Sequence, residues 1–454
     1  MFRRRLTGSI SAGMALAGFA ASALVGVAAQ DTSPARMTVS SPAPPRAATA
    51  TQVTTGSASS PAPRSTTAQL LSSPSRAFSG SGLALTPPMG WNGYNHFGRN
   101  VTTSMVEADA RAMVTSGMKA AGYTYVNLDG GWALLKRSAN GNLQPNPSLF
   151  PQGIRPVADY VHSLGLKFGI YASAGTKNCA GTSAGSYGHY PQDARTFASW
   201  GVDYVKLDWC HIPFRDYPTV SHRQVSQTLA TQMCDALTAT GRPIVYDVND
   251  TNWRIDRTST WGARAANLWR TTGDIRKSYA SMVQHFTHNV GNYAHARPGA
   301  WNDPDMLEIG NGGMSTTEYR AQFSLWAEMA APLIAGNDLT TMSAVTRSIL
   351  TNASVIAVDQ DRQGRQGYPV ASTGGHWVLT KPLANGDRAV VLFNQTGRRA
   401  TISTTAARVG LGGVAAFTLH NLWTGTVTET AGVITATVPA HAVVMYRVAK
   451  GVGL

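Results

Sequence analysis

Tyr204-Val205-Lys206-Leu207-Asp208-Trp209-Cys210 is the stretch whose reading decides the fold. Tyr204 and Val205, with Val202 just upstream, are the β-branched and aromatic types that suit a strand. The strand breaks into Trp-Cys-His-Ile-Pro at 209–213, a loop. Lys206 and Asp208 stand two residues apart, so a pleated strand points both to one side. An acid at the end of an apolar strand is costly to bury unless paired. Sharing a surface, the two side chains ease each other's desolvation. On this run alone, a structural ion pair and a functional carboxylate are equally good readings.

Similar runs recur on both sides: Met89–Tyr94, Tyr123–Trp132, Leu166–Ser173, Pro243–Asp250, Ala266–Asp274, Ala300–Met306 and Pro332–Leu339. Helical patterns separate several of them. Ser104-x-x-Glu107 reads as a capping box opening a helix that ends near Gly122. Val157, Val161 and Leu164 repeat at helical spacing up to Gly165, and a third helix runs from about Pro191 to Trp200. With the run at 202–208, eight strands alternating with helices predict a (β/α)8 TIM barrel over 82–366. The alternative is an open doubly wound sheet, which lacks its Gly-x-Gly-x-x-Gly after the first strand. From 367 to 454 short alternating strands take over, with turn signals at Asn385-Gly386-Asp387 and Thr424-Gly425. They predict a small antiparallel β-sandwich domain.

The N-terminal part has a different texture. Arg3-Arg4-Arg5 precedes an apolar, small-residue stretch from about Ile10 to Val27, and Val27-Ala28-Ala29 suits a signal peptidase. Residues 1–29 therefore read as a signal peptide and the chain as secreted or held in the cell envelope, by the general or the twin-arginine route. No stable membrane insertion is expected once the signal is removed. Residues 30–81, rich in Ser, Thr, Pro and Ala, read as a disordered linker. Of the net charge of +14, +6 lies before Gly82: seven arginines against Asp31. The remainder is scattered without a Lys/Arg cluster, so no nucleic-acid partner is expected. Three cysteines, Cys179, Cys210 and Cys234, allow one disulfide and one leftover thiol.

Function in a barrel gathers where the strands end. Acids sit there on five of them: Asp129, Asp208, Asp247 with Asp250, Asp274, and Asp303 with Asp305. Tryptophans lie nearby. Carboxylates accept hydrogen bonds from hydroxyls and indole faces stack on sugar rings, so the pattern resembles a sugar-binding floor. Any one acid is more often a helix cap or loop residue than a catalyst; five strands in step are not. Two carboxylates suffice for glycoside hydrolysis. A catalytic metal would ask for histidines, and only His211 is adjacent. No Gly-x-Ser-x-Gly follows a strand.

At this point a family resemblance is visible. Pro87-Pro88-Met89-Gly90-Trp91-Asn92, the Lys-x-Asp-x-Cys core of 204–210, and Trp301-Asn302-Asp303-Pro304-Asp305-Met306 with Gly310-Asn311-Gly312-Gly313 resemble glycoside hydrolase family 27, the α-galactosidases. Gly169-Ile170-Tyr171, Cys179-Ala180-Gly181 and Asn337-Asp338-Leu339 fit the same pattern. The resemblance implies Asp208 as nucleophile and Asp274 as general acid/base. It implies Lys206 and Arg270 on ring hydroxyls, Asp129 and Tyr171 lining the sugar subsite, and Asp305 with Met306 closing it. Trp91 and Tyr94 would pack under or beside the ring. Cys179 and Cys210 would form the disulfide, leaving Cys234 free. No cofactor or metal is implied, and the partner is an oligosaccharide or polysaccharide. Asp208 must be ionised, favoured by Lys206. Asp274 must hold a proton, so its neighbours are expected to raise its pKa.

Two positions depart from the family pattern. An adjacent pair of aspartates usually ends the second strand; here Asp129 is followed by Gly130. The fifth strand usually offers a glutamate or small polar group to the 2-position, and here Asn249 stands there. A lost charged hydrogen bond costs about 1.5–3 kcal/mol. Three readings follow. One is an exported retaining exo-α-galactosidase. The second is the same machinery on another sugar, isomaltodextranase-like or β-L-arabinopyranosidase-like. The third is a catalytically inactive carbohydrate-binding barrel.

Overall fold

β4 (Tyr204–Asp208) lies inside an eight-stranded parallel sheet in the computed structural model, which describes residues 80–250 and 252–451. Around it run β1 (Met89–Asn92), β2 (Tyr125–Leu128), β3 (Lys167–Ser173), β5 (Val245–Asn249), β6 (Leu268–Arg270), β7 (Trp301–Asp303) and β8 (Leu333–Ala335). Their order is β7-β6-β5-β4-β3-β2-β1-β8. A parallel bridge from Leu307 to Ala335 joins the two ends. There Leu307 N–H donates to Ile334 O at 2.8 Å and Gly336 N–H to Leu307 O at 2.9 Å. The sheet is closed, which is the barrel expected from the strand–helix alternation and not the open doubly wound sheet.

Register explains where the acids go. Tyr204 pairs with Val245, Lys206 with Asp247, and Asp208 with Asn249. On the other side Tyr171 pairs with Lys206 and Ser173 with Asp208. Alternate residues share a face, so the inward set changes character along the strands. The lower layer is apolar, with Tyr125, Tyr204, Val245, Leu268 and Trp301 in one cluster. Above it come Lys206, Asp247, Arg270 and Asp303, and then Asp208 and Asn249. The apolar layer plugs the barrel, so the charged layer opens toward the strand ends only.

The helices form outside. The first long one covers Thr103–Thr115. Its N-cap is Thr102, whose hydroxyl accepts from Met105 N–H. The capping box expected at Ser104 is thus displaced: the helix starts one residue before Ser104, whose hydroxyl turns to Thr102 Oγ1 at 3.0 Å. The helix also stops short of Gly122, because the chain then turns through Gly117 at φ 87°. Helices Arg155–Ser163 and Tyr190–Ser199 match their sequence patterns.

Beyond the barrel stand β9 (Tyr368–Thr373), β10 (His376–Pro382), β11 (Arg388–Asn394), β12 (Ala400–Thr405), β13 (Phe417–Asn421), β14 (Val427–Thr430), β15 (Val433–Val438) and β16 (Val443–Lys450). Six of them make an antiparallel sheet in the order β14-β13-β16-β11-β10-β9, while β12 and β15 pair separately. Val390, Leu392, Ile402, Phe417, Ile434 and Val448 fill the core between them. This is the sandwich read from the sequence. It is fastened to the barrel by buried Lys381 of β10, whose ammonium donates to Ala327 O at 3.0 Å. The signal peptide and nearly all of the linker, residues 1–79, lie outside the described residues.

Candidate active site

A cavity of about 80 Å³ opens at the ends of the strands. Tyr94, Asp129, Gly130, Tyr171, Lys206, Asp208, Asn249, Arg270, Asp274, Asp305 and Met306 line it. The barrel therefore brings together, from separate strands and loops, every substrate contact expected from the sequence except Trp91. Trp91 is only 1% exposed, and its indole N–H donates to Asn337 O at 2.8 Å. The strand turns it into the core, so it is not among the residues lining this cavity and cannot pack under a ring there.

Asp208 is buried at the end of β4. The Asn249 amide donates to its Oδ1, and Cys179 Sγ lies 3.3 Å from its Oδ2. Burial lifts its pKa to about 6; Lys206 pulls the other way, and Asp129 and Asp274 add to the rise. Lys206 does not form its close pair with Asp208. Its ammonium lies 2.8 Å from Asp129 Oδ2, an oxygen that also accepts from the Asn92 amide at 2.7 Å. Lys206 supports Asp208 through the field, while Asp129 takes the direct contact. Despite burial, that ion pair keeps the Asp129 pKa below the ordinary carboxylate value.

Asp274 follows β6 in a short loop, and its side chain is 81% exposed. The Arg270 guanidinium sits 3.1 Å from its Oδ1 and 3.0 Å from Asp305 Oδ2. The expected rise in the Asp274 pKa is overturned. Arg270 is the first cause of a shift below the ordinary value, with Lys206 helping. A buried arginine aimed at the carboxylate outweighs what burial adds.

Asp305 bridges the loops. Its Oδ2 accepts from Ile275 N–H at 2.7 Å and its Oδ1 from Met306 N–H at 2.9 Å. It does so at φ 77°, a left-handed conformation uncommon outside glycine. Strain of this kind collects at functional sites.

Below the mouth, a cavity of about 30 Å³ is lined by Asn127, Asp129, Tyr204, Lys206, Asp247, Arg270 and Asp303, among others. Burial together with the Asp303 charge raises Asp247 to about 8, and burial raises Asp303 to about 6. Tyr204 hydroxyl donates to Asp247 Oδ2 at 2.9 Å. Sequence reading saw these acids but gave them no role. It missed Asn92, Asn95 and Arg99, which the first strand and its loop supply; Asn92 stood inside the quoted Pro-Pro-Met-Gly-Trp-Asn run, its only signal.

A disulfide joins Cys179 to Cys210, as the resemblance implied, and Cys234 is free and buried. The bridge ties the loop after β3 to the one after β4, next to Asp208.

The family model described as alpha galactosidase A matches residues 86–361. The chain belongs to the α-galactosidase family. It is a glycoside hydrolase of that type. The model of the α-galactosidase C-terminal β-sandwich domain matches residues 373–448. An α-galactosidase of Oryza sativa subsp. japonica is 44% identical over 371 residues, covering 82% of this chain and 86% of the relative. Alpha-galactosidase I from Mortierella vinacea superposes with a TM-score of 0.78 at 33% identity, covering 82% of this chain and 98% of that one. The α-galactosidase of Saccharomyces cerevisiae, solved with raffinose, gives 0.76 at 28% identity, covering 83% and 100%.

Proposed function

We propose that this α-galactosidase-family chain is an exported, retaining exo-glycosidase that removes terminal α-D-galactosyl residues by double displacement. Asp208 attacks the anomeric carbon and forms the glycosyl-enzyme intermediate. Asp274 protonates the departing oxygen and then activates the water that releases the sugar. Lys206, Asp129 and Arg270 hold ring hydroxyls. The reading is carried by one observation: Asp208 and Asp274 line the same cavity, and its floor is closed by the charged and apolar layers beneath. A sugar enters from one end only, which suits terminal residues.

The experiment is turnover of 4-nitrophenyl α-D-galactoside followed by proton NMR. The first product expected is α-galactose. β-Galactose as first product removes double displacement, and no turnover with binding retained favours the inactive barrel. Export rests on the leader at residues 1–29; sequencing the N-terminus of the protein recovered outside the membrane tests it, and an intact Met1 there counts against cleavage.

One observation favours the other-sugar reading. Gly130 does not adopt a left-handed φ, and the nearest atoms a Cβ there would meet are those of the Tyr171 ring, at 3.5–3.7 Å. The backbone does not require glycine, so the room beside Asp129 is a vacancy in the sugar pocket. Faster turnover of a β-L-arabinopyranoside or an α-glucoside than of the galactoside, on a nitrophenyl panel, selects this reading.

A further inference from the structure

The loop that carries Asp274 is fastened to one helix face. That helix spans Tyr279–Asn289. Ser281, His285 and Asn289 are spaced four apart and share one side of it. Each ties down a different residue of the segment 271–276. Asn289 Oδ1 accepts from the Thr271 hydroxyl at 2.7 Å. His285 Nε2 reaches Gly273 O at 2.9 Å. Ser281 Oγ accepts from Arg276 N–H at 2.9 Å. His285 and Asn289 are buried, yet the apolar packing of the helix is done elsewhere. Phe286 meets Trp377 and Phe393 of the sandwich edge-on.

His285 is the middle tie, at the residue immediately before Asp274. Its other nitrogen, Nδ1, lies 2.7 Å from Ser281 O. A neutral imidazole carries one N–H, and the tie to Gly273 O is made by the tautomer that carries it on Nε2. Gly273 O also accepts from the Arg270 guanidinium, the same group that contacts Asp274. The carbonyl before Asp274 is therefore held from two sides, while the Asp274 carboxyl, in contact with Arg270 at one oxygen, projects into the mouth.

We propose that His285 is a positioning residue for the acid/base Asp274, with Asn289 and Ser281 holding the two ends of the same segment. The inference rests on the proposed role of Asp274. A misplacement of about 1 Å costs on the order of 10²-fold in rate, and an exposed carboxylate on an untethered loop would wander further than that. A polar stripe buried on a helix that already has an apolar face is the means of preventing it.

The test separates proton donation from general damage. The variants are His285→Leu, which removes the donor, and His285→Gln, which keeps an amide donor. The substrates are methyl α-galactoside, whose leaving group needs a proton, and α-galactosyl fluoride, which needs little help. For His285→Leu, kcat/KM is expected to fall about tenfold on the methyl glycoside and to stay within about twofold on the fluoride, a part of the roughly 10²–10⁴ that general acid catalysis contributes. His285→Gln should recover most of the loss. Asp274→Ala should show the same split, larger. Equal losses on both substrates for His285→Leu, with Asp274→Ala still splitting them, overturn the inference. Equal losses for Asp274→Ala overturn the acid/base reading underneath it. Should His285→Leu not fold, Thr271→Val cuts the neighbouring tie to Asn289 and is expected to split the substrates in the same direction; equal losses on both substrates in Thr271→Val overturn the inference.

Discussion

At the scale of single residues, the site is set by how two carboxylates share protons. Burial lifts Asp208 to about 6, while Arg270 holds Asp274 below the ordinary value. The two line one cavity, and the Asp274 charge adds to the rise of Asp208. The singly protonated form of the pair is the one that has both a nucleophile and an acid, wherever the proton rests before substrate arrives. kcat/KM is therefore expected to peak on the acid side and to fall as pH rises through about 6. A plateau extending to pH well above 7 would contradict this. A second prediction concerns stability. The raised Asp208 pKa means that the folded chain binds a proton more tightly than the unfolded one. Stability from this group is full below about pH 4, the unfolded carboxylate range, and is lost as pH rises through about 6. Asp208→Asn should thus abolish turnover yet raise the melting temperature at pH 7, with the gain fading below about pH 4. Melting curves at several pH values check it; a lower melting temperature at neutral pH refutes it. A third belongs to Gly130. Because a Cβ at this position meets only ordinary van der Waals distances, Gly130→Asp should fold and sharpen preference for the galactoside over other nitrophenyl glycosides. Unchanged selectivity counts against a role for the vacancy.

Elements decide what these residues can reach. β4 supplies Lys206 and Asp208 to one face, as its period of two requires, but the neighbouring strands choose the partners. Asp129 from the end of β2 takes the lysine, and Asn249 of β5 takes the aspartate. The disulfide acts at this scale too. It closes a separation of 31 residues between the loops after β3 and β4. Replacing both cysteines by alanine should lower unfolding free energy by about 2–5 kcal/mol, measured by denaturant titration, and should cut kcat by loosening the wall beside Asp208. Activity surviving at the wild-type level would show that the bridge does not hold that wall. Legibility varied among elements for local reasons. Strand runs and helix periodicity are properties of neighbouring residues and could be read. The cap at Thr102 was misplaced by two residues, because Ser104 and Glu107 satisfy the same pattern and only the packed helix fixes where the first turn begins.

For the whole molecule, barrel and sandwich meet around a buried charge cluster. Lys381 faces Glu328 and Asp359, each of which burial raises to about 8. Their folded pKa values stand above the unfolded ones, so the stability they contribute is present at low pH and lost as pH rises through about 8. Glu328→Gln should therefore raise the melting temperature at pH 8 and change it little below about pH 4, where the unfolded carboxylate is protonated too; the same shift at both would exclude ionisation as the cause. The amino-acid sequence by itself determined the closed barrel, the sandwich behind it, the family, the cysteine pairing through that family, and which strand ends carry acids. Those follow from periodicity and short motifs, which are local. Only the tertiary structure decided that Trp91 belongs to the core, that Asp129 claims Lys206, and that Arg270 drives the Asp274 pKa down. Each of these depends on which side chains from distant segments come within a few ångströms, and a charge's energy is set by that separation and by the water excluded around it.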